Sequence, residues 1–258
     1  MDLQHLKVWD EMKTITLSEM NDIRLMNRID TKYMIPDNLL PELLEKIKDK
    51  YRVQVVNHLP VSRYETTYFD TVDIDMYTMH HDNKLKRQKI RTRTYVESSL
   101  SFLEIKNKSN KGRTTKERII IGQDDFTDFS KNATAVDFIN GKSIWGVENL
   151  LPQVKTRFER ITLVNDEKTE RLTIDGNLVF ANCQTGMETD MHGLMIVELK
   201  QDGKCPSYFK SLLNEYKVLP HGFSKYCLGT VATNPDAKVN RFKSKIRYIN
   251  KLTEKNHD

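Results

Sequence analysis

Charged and apolar residues alternate with a period of two in several short stretches of this chain. Arg28, Asp30 and Lys32 mark the first, Lys89, Arg91 and Arg93 the second, and Glu104, Lys106 and Lys108 the third. Lys116 with Arg118, Arg171 with Asp175 in Arg-Leu-Thr-Ile-Asp, and Glu198 with Lys200 repeat the pattern. Successive side chains of a β-strand point to opposite faces. Each stretch therefore predicts a strand with its charges on one face and Ile90, Leu103, Ile105, Ile119, Leu172, Ile174, Val197 or Leu199 on the other. One such strand is the ordinary wet side of an antiparallel sheet. Several of them, mostly cationic, predict a sheet closed into a barrel with the charges inward around a basic channel.

Between these strands the period changes. Leu17, Met20, Ile23 and either Leu25 or Met26 recur at helical spacing, with Ser18 ahead of Glu19 and Asp22, which predicts an N-terminal helix at about 16–26. Residues 28–35 read as a strand ended by Pro36, and Asp37 caps a helix through Leu39, Leu40, Leu43, Leu44 and Ile47. Strands are predicted at 51–56 and 64–70, and a short helix or ordered loop at 73–81. Residues 89–96, 101–108 and 113–121 form a meander, separated by polar breaks of hairpin length. Residues 124–151 lack a strong period and are assigned to helices outside the sheet. Strands resume at 154–164, 170–175, 178–181 and 194–200, with Gly176-Asn177 as a turn signal. The chain ends in helices at about 206–252. No linker or repeat divides it, so the prediction is one α+β domain over 1–258, a closed antiparallel β-barrel (tunnel) with helices packed outside.

Composition adds little until placement is considered: 41 Lys+Arg against 36 Asp+Glu give a net charge of +5 among 258 residues. Focused cationic walls concentrate anions even when the whole molecule is nearly balanced. The cysteines Cys183, Cys205 and Cys227 are odd in number and lack Cys-x-x-Cys spacing, which excludes a disulfide framework or zinc site and fits reduced thiols in the cytoplasm. Residues 1–7 lack the apolar core of a secretion signal, and no apolar run is long enough for a membrane segment. The basic run Lys243, Lys245, Arg247 and Lys251 reads as a solvated helix face.

Phosphoryl groups are held by Arg forks, Lys point charges and a metal bridging phosphate oxygens. Arg91, Arg93, Arg118, Arg157 and Arg171 supply forks, and Lys32, Lys89, Lys106, Lys116 and Lys200 supply point charges. Glu198, Glu104 and Asp175 are candidate oxygen ligands for Mn²⁺ or Mg²⁺. Glu198 ranks first, because a carboxylate in Ile-Val-Glu-Leu-Lys on a cationic face needs a cation to bind. The alternative is that Glu198 and Glu104 pair with Lys200 and Lys106. Phosphate loops of the Gly-x-x-x-x-Gly-Lys type, dinucleotide fingerprints and marked nucleophiles are absent, and His58, His80, His81 and His221 lack metal spacing. Aromatic residues interleave with bases at 91–95 and at Lys225-Tyr226, but the carboxylates among them repel phosphates, and no nucleic acid partner is expected.

The ordered set Arg-Ile-Asp-Thr-Lys-Tyr (28–33), Thr-Thr-Tyr-Phe-Asp-Thr (66–71), Lys-Ile-Arg-Thr-Arg-Thr-Tyr (89–95), Leu-Glu-Ile-Lys (103–106), Arg157 before an apolar strand, Arg-Leu-Thr-Ile-Asp (171–175), Val-Glu-Leu-Lys (197–200) and Phe-Ser-Lys-Tyr (223–226) resembles the VTC domain. That is the polyphosphate polymerase domain of the triphosphate tunnel metalloenzyme superfamily, and the resemblance spans about residues 25–230. It implies a closed tunnel holding ATP and polyphosphate or pyrophosphate with Mn²⁺ or Mg²⁺, and transfer of the γ-phosphate onto the chain. Lys32, Arg91, Arg93, Lys106, Arg157, Arg171, Lys200 and Lys225 would hold phosphates by this match, Lys116 and Arg118 would assist, and Glu198 would bind the metal. The Glu-x-Glu-x-Lys of the triphosphatases and adenylate cyclases reads Arg28-x-Asp30-x-Lys32 here, which favours the polymerase-like branch. The resemblance leads to the expectation of a stand-alone cytoplasmic version whose coupling to transport needs a separate partner protein. Water as acceptor would instead make it a triphosphatase, and a tunnel without turnover would make it a polyphosphate-binding regulatory module.

Overall fold

The computed structural model describes residues 1–21, 23, 25, 28–111 and 114–254. The alternating stretches become strands: β1 (Thr14–Thr16), β2 (Arg28–Pro36), β3 (Tyr51–Val55), β4 (Val61–Asp70), β5 (Arg87–Tyr95), β6 (Leu100–Lys108), β7 (Thr114–Ile121), β8 (Leu151–Asn165), β9 (Glu170–Asn182), β10 (Glu188–Asp190) and β11 (Leu194–Asp202). The helices are α1 (Leu17–Asn21), α2 (Leu40–Ile47), α3 (Asp75–His81), α4 (Ala133–Lys142), α5 (Tyr208–Glu215), α6 (Lys225–Thr233) and α7 (Lys243–Glu254). The helix expected at 16–26 is shorter than expected: α1 ends at Asn21, Ile23 and Leu25 lie outside it, and the part of that expectation on Asp22, Arg24 and Met26 lies outside the described residues. Gly112 and Arg113, assigned to a turn and a strand start, also lie outside them.

All the strands join one sheet, with the path β2-β11-β9-β8-β4-β5-β6-β7; β3 pairs with the end of β8, β1 with β3, and β10 with β9. Every pairing is antiparallel except β1 with β3. Among the described residues no ladder joins β2 to β7, so the hydrogen-bonded path is open where a closed barrel was expected. The free edge of β2 is occupied instead. His221 donates its backbone N–H to the Lys32 carbonyl at 2.8 Å, and Tyr33 bridges to Pro220. The 220–221 segment thus takes the middle of the edge that a closing strand would need.

The turn expected at Gly176-Asn177 is a bulge inside one continuous strand. Two residue steps separate Arg157 from Glu159, whereas three separate their partners Gly176 and Val179, so β9 carries the extra residue. Asn177 takes a φ of +50°, and a Cβ on Gly176 would lie 2.5 Å from Met195 Sδ. The bulge keeps Arg171, Thr173 and Asp175 on the same face as Phe180, although their numbers differ in parity.

Helices cover the apolar faces. Leu40, Leu43, Leu44 and Ile47 form a buried stripe on α2 that packs with Phe209, Leu212 and Leu213 of α5 onto Leu163, Leu172, Val197 and Leu199. Each such burial is worth about 1.5–3 kcal/mol, which offsets the weak intrinsic stability of an eight-residue helix. On the meander side Ile90, Leu103 and Ile105 pack with Ala135 and Ile139 of α4. The expectation that every helix lies outside the charged face fails at α6. A Cβ on Gly229 would lie 2.6 Å from Phe180 and 2.9 Å from Val154, so α6 rests directly on the side of the sheet that carries Arg91 and Arg93. Tyr226 anchors it there, stacked on Tyr68 at 5.1 Å and donating its hydroxyl to the buried Asp70 carboxylate. Among the described residues no helix is long and apolar enough to cross a membrane.

Candidate functional site

Register brings the charged positions side by side. Lys32 lies opposite Glu198, Asp30 opposite Lys200, and Lys200 opposite Arg171. Across the meander Lys89 faces Lys106, Arg91 faces Glu104, Glu104 faces Arg118 and Lys106 faces Lys116. Lys225 joins them from the first turn of α6, where Ser224 caps the helix by accepting the Cys227 N–H.

Three carboxylates organise this face, each between two cations. Glu198 accepts from Lys200 Nζ at 2.6 Å and pairs with Lys32 Nζ at 3.6 Å. Glu104 is gripped by Arg91 Nη2 at 2.6 Å and Lys116 Nζ at 2.5 Å. Asp175 receives a fork from Arg160, at 2.6 and 2.8 Å, and an ammonium hydrogen bond from Lys225. Glu198 thus pairs with Lys200 as one reading of the sequence anticipated, whereas Glu104 is paired with Arg91 and Lys116 and not with Lys106. Burial alone would raise the Glu198 carboxyl, but Lys32 and Lys200 outweigh it and hold it at about 2. Glu104 is likewise held at about 2, burial being overcome by Arg91, Arg93 and Lys116.

Other cations on this face have no carboxylate partner among the described residues. Buried Arg93 donates Nε to Thr66 Oγ1 at 3.0 Å and lies over the rings of Tyr64 and Phe158, at 5.5 and 5.8 Å. Lys89 donates to Ser224 Oγ at 3.0 Å. Lys106 has no ion pair, and burial together with Arg91 and Lys116 pushes its ammonium down to about 7. Arg118 lies over Phe102 at 4.3 Å. Arg171 donates Nη2 to the carbonyls of Met20, at 2.9 Å, and Ile23, at 3.4 Å, while its Nε is buried without a partner. Arg118 is exposed, but Arg93, Lys89, Lys106 and Arg171 are buried or half-buried, and desolvated cations without counter-charge are costly. A polyanion would supply what they lack.

Arg157 is a correction. Strand alternation places Phe158, Arg160 and Thr162 on the charged face and Arg157 on the other, where it is about half exposed and bonds Glu188 at 2.9 and 3.0 Å. Arg160, passed over in the sequence, takes the inward position, and the period-two pattern from Arg160 to Thr162 was the available signal. Tyr68 was also missed; Arg91 Nη1 donates to its hydroxyl at 3.4 Å.

The expected metal set is not a shared one. Among the described residues no three His, Cys, Asp or Glu side chains converge in a metal-holding group. Glu104 and Asp175 are closed off by their cations, with side-chain exposures of 0% and 4%, whereas Glu198 keeps 21%. Mg²⁺ and similar ions often use one carboxylate plus substrate phosphates, and Glu198 fits that mode.

The VTC domain model matches residues 27–234. No curated protein matches the chain. Among solved structures, a candidate adenylate cyclase from Bacillus halodurans is similar at 12% identity with a TM-score of 0.50, covering 84% of this chain and 99% of its own. A candidate adenylyl cyclase from Hippeastrum, described as having a dominant triphosphatase activity, is similar at 15% identity and TM-score 0.50, covering 80% and 96%. At these identities the likeness is one of fold.

Proposed function

The chain belongs to the VTC domain family, and on that premise we propose that it is a metal-dependent phosphotransferase that moves the γ-phosphate of ATP onto phosphate or polyphosphate. The observation that carries this reading is the set of desolvated cations without carboxylate partners, Arg93, Lys89 and Lys106, on a face whose carboxylates are already paired.

Arg91, Arg93, Arg160, Arg171, Lys32, Lys106, Lys116, Lys200 and Lys225 would bind and align the two phosphate chains in line and spread the charge that develops between them. The acceptor oxygen is already anionic, so its attack on Pγ needs no general base. The Pγ–O bond to the β-phosphate breaks and ADP leaves with the electron pair. Glu198 would hold Mn²⁺ or Mg²⁺, and the ion would supply positive charge against the charge that develops on the transferred phosphoryl group. The same face with water as acceptor would be a triphosphatase. We propose the cytoplasm as its place, with ATP and polyphosphate or pyrophosphate as its partners. Glu198→Gln should abolish Mn²⁺-dependent ATP turnover and leave polyphosphate binding, measured by calorimetry, nearly intact. Full turnover in that variant would refute the assigned role.

A further inference from the structure

Tyr68 of β4 lies directly opposite Arg91 in the ladder, and Thr66, two residues before it, lies opposite Arg93. Its buried ring is fixed by stacking on Tyr226 at 5.1 Å, with the Arg91 guanidinium 5.9 Å from the ring centroid. Other buried phenols have an acceptor for their proton: Tyr51 donates to Glu170, Tyr77 to the Lys238 carbonyl and Tyr226 to Asp70. The Tyr68 hydroxyl only accepts, from Arg91 Nη1 at 3.4 Å, and its own proton meets no acceptor among the described residues. A buried donor left unused is costly and rare in a folded chain. The charged groups around it explain what would use it. Lys89, Arg91 and Arg93 face it from β5 and Lys225 from α6, and all four are donors. Asp70, two residues along β4, is taken up by three backbone N–H groups and the Tyr226 hydroxyl. Burial would raise the Tyr68 phenol, but Arg91, Arg93, Lys89 and Lys225 outweigh it and hold the group below its ordinary value. The acceptor that fits such a place is an anion that those same cations would hold.

We propose that Tyr68 is a further substrate ligand, its hydroxyl donating a hydrogen bond to a non-bridging oxygen of the bound phosphate chain beside Arg91. The proposal rests on the reading of the charged face as a phosphate site and adds a neutral donor to its Arg and Lys side chains. Only the phenol form can donate. A phenolate would repel the chain and compete with it for the same cations, so binding of the chain holds the proton on Tyr68.

The test uses inorganic tripolyphosphate as the probe, with calorimetry on native protein, Tyr68→Phe, Arg91→Lys and the double variant. Tyr68→Phe keeps the ring and its stacking and removes one hydrogen bond to a charged oxygen, so it should weaken tripolyphosphate about ten-fold. The same loss should persist in the Arg91→Lys background, where the guanidinium that touches the hydroxyl is gone. Ionisation of Tyr68 is read as the ultraviolet difference between native protein and Tyr68→Phe during an alkaline titration. Saturating tripolyphosphate should move it up by about one pH unit or more, which corresponds to ten-fold tighter binding by the phenol form. Unchanged affinity in Tyr68→Phe, or an ionisation that stays in place when the probe is bound, would overturn the proposal. A loss that vanishes in the Arg91→Lys background would also overturn it, because Tyr68 would then act only by propping Arg91. If the native protein binds tripolyphosphate without these responses, the role of Tyr68 alone falls. If it binds no tripolyphosphate, the phosphate reading of the charged face falls with it.

Discussion

Replacing Arg160 and Arg157 separately by alanine tests the orientation of β8. Asp175 is 4% exposed and has two partners, the Arg160 fork and Lys225. Removing Arg160 leaves a buried carboxylate with one ammonium, whose own charge burial already disfavours, holding it at about 8. It also removes the guanidinium over the rings of Tyr64 and Phe158, at 4.8 and 5.4 Å. Truncating one member of a buried ionic cluster costs about 3–5 kcal/mol, and the surviving Lys225 places Arg160→Ala near the lower end. Arg157 and Glu188 are about half exposed, so Arg157→Ala should cost roughly 0–1 kcal/mol. With an m-value of about 3 kcal/mol/M for a chain of this size, the urea midpoint should fall about 1 M for the first variant and roughly 0.3 M or less for the second. Tripolyphosphate affinity should drop at least about ten-fold only in Arg160→Ala, since only that variant removes a charge-assisted phosphate contact. Equal midpoints, or a larger loss of affinity in Arg157→Ala, would refute the placement of these two arginines.

Lys106 makes phosphate binding depend on pH. Its proton is lost near pH 7 in the unliganded protein because burial, Arg91 and Lys116 disfavour the charge, and a neighbouring phosphate restores the ammonium. Binding above about pH 7 therefore takes up a proton, and affinity falls with rising pH, by up to about ten-fold per unit. Calorimetry in buffers of different ionisation heat reads this uptake; Lys106→Met should remove it at pH 7.5, and an affinity flat from pH 6.5 to 9 would contradict it. Asp70 accepts the N–H groups of Thr71, Met76 and Tyr77 at 2.8–2.9 Å as well as the Tyr226 hydroxyl. Asp70→Ala should cost about 3 kcal/mol or more in urea unfolding; a loss below about 1 kcal/mol would show that α6 is held by other contacts.

Alternation alone located most of the sheet. The meander strands fall within about two residues of their expected ends because Ile90, Leu103 and Ile105 on one face and Arg91, Arg93, Glu104 and Lys106 on the other leave one register. The remaining errors share a physical origin in tertiary placement. Gly176-Asn177 has turn composition, but β8 continues opposite it, and the conformational freedom is spent on a bulge. Closure of β2 onto β7 depends on whether another segment reaches the β2 edge first, and 220–221 does. Arg157 and Arg160 differ by an odd number of residues, so only one of them can face inward. The partners of Glu104 follow from side-chain reach across strands, which spacing along one strand does not encode.

The most direct measurement of the central claim is product analysis after incubation with ATP and Mn²⁺, with and without pyrophosphate as primer, on a polyphosphate gel beside a free-phosphate assay. A ladder of polyphosphate chains, lost in Glu198→Gln, is the predicted result. Steady phosphate release with no ladder would contradict the polymerase assignment and make the charged face a triphosphatase site, and ATP left unconsumed would contradict catalysis altogether.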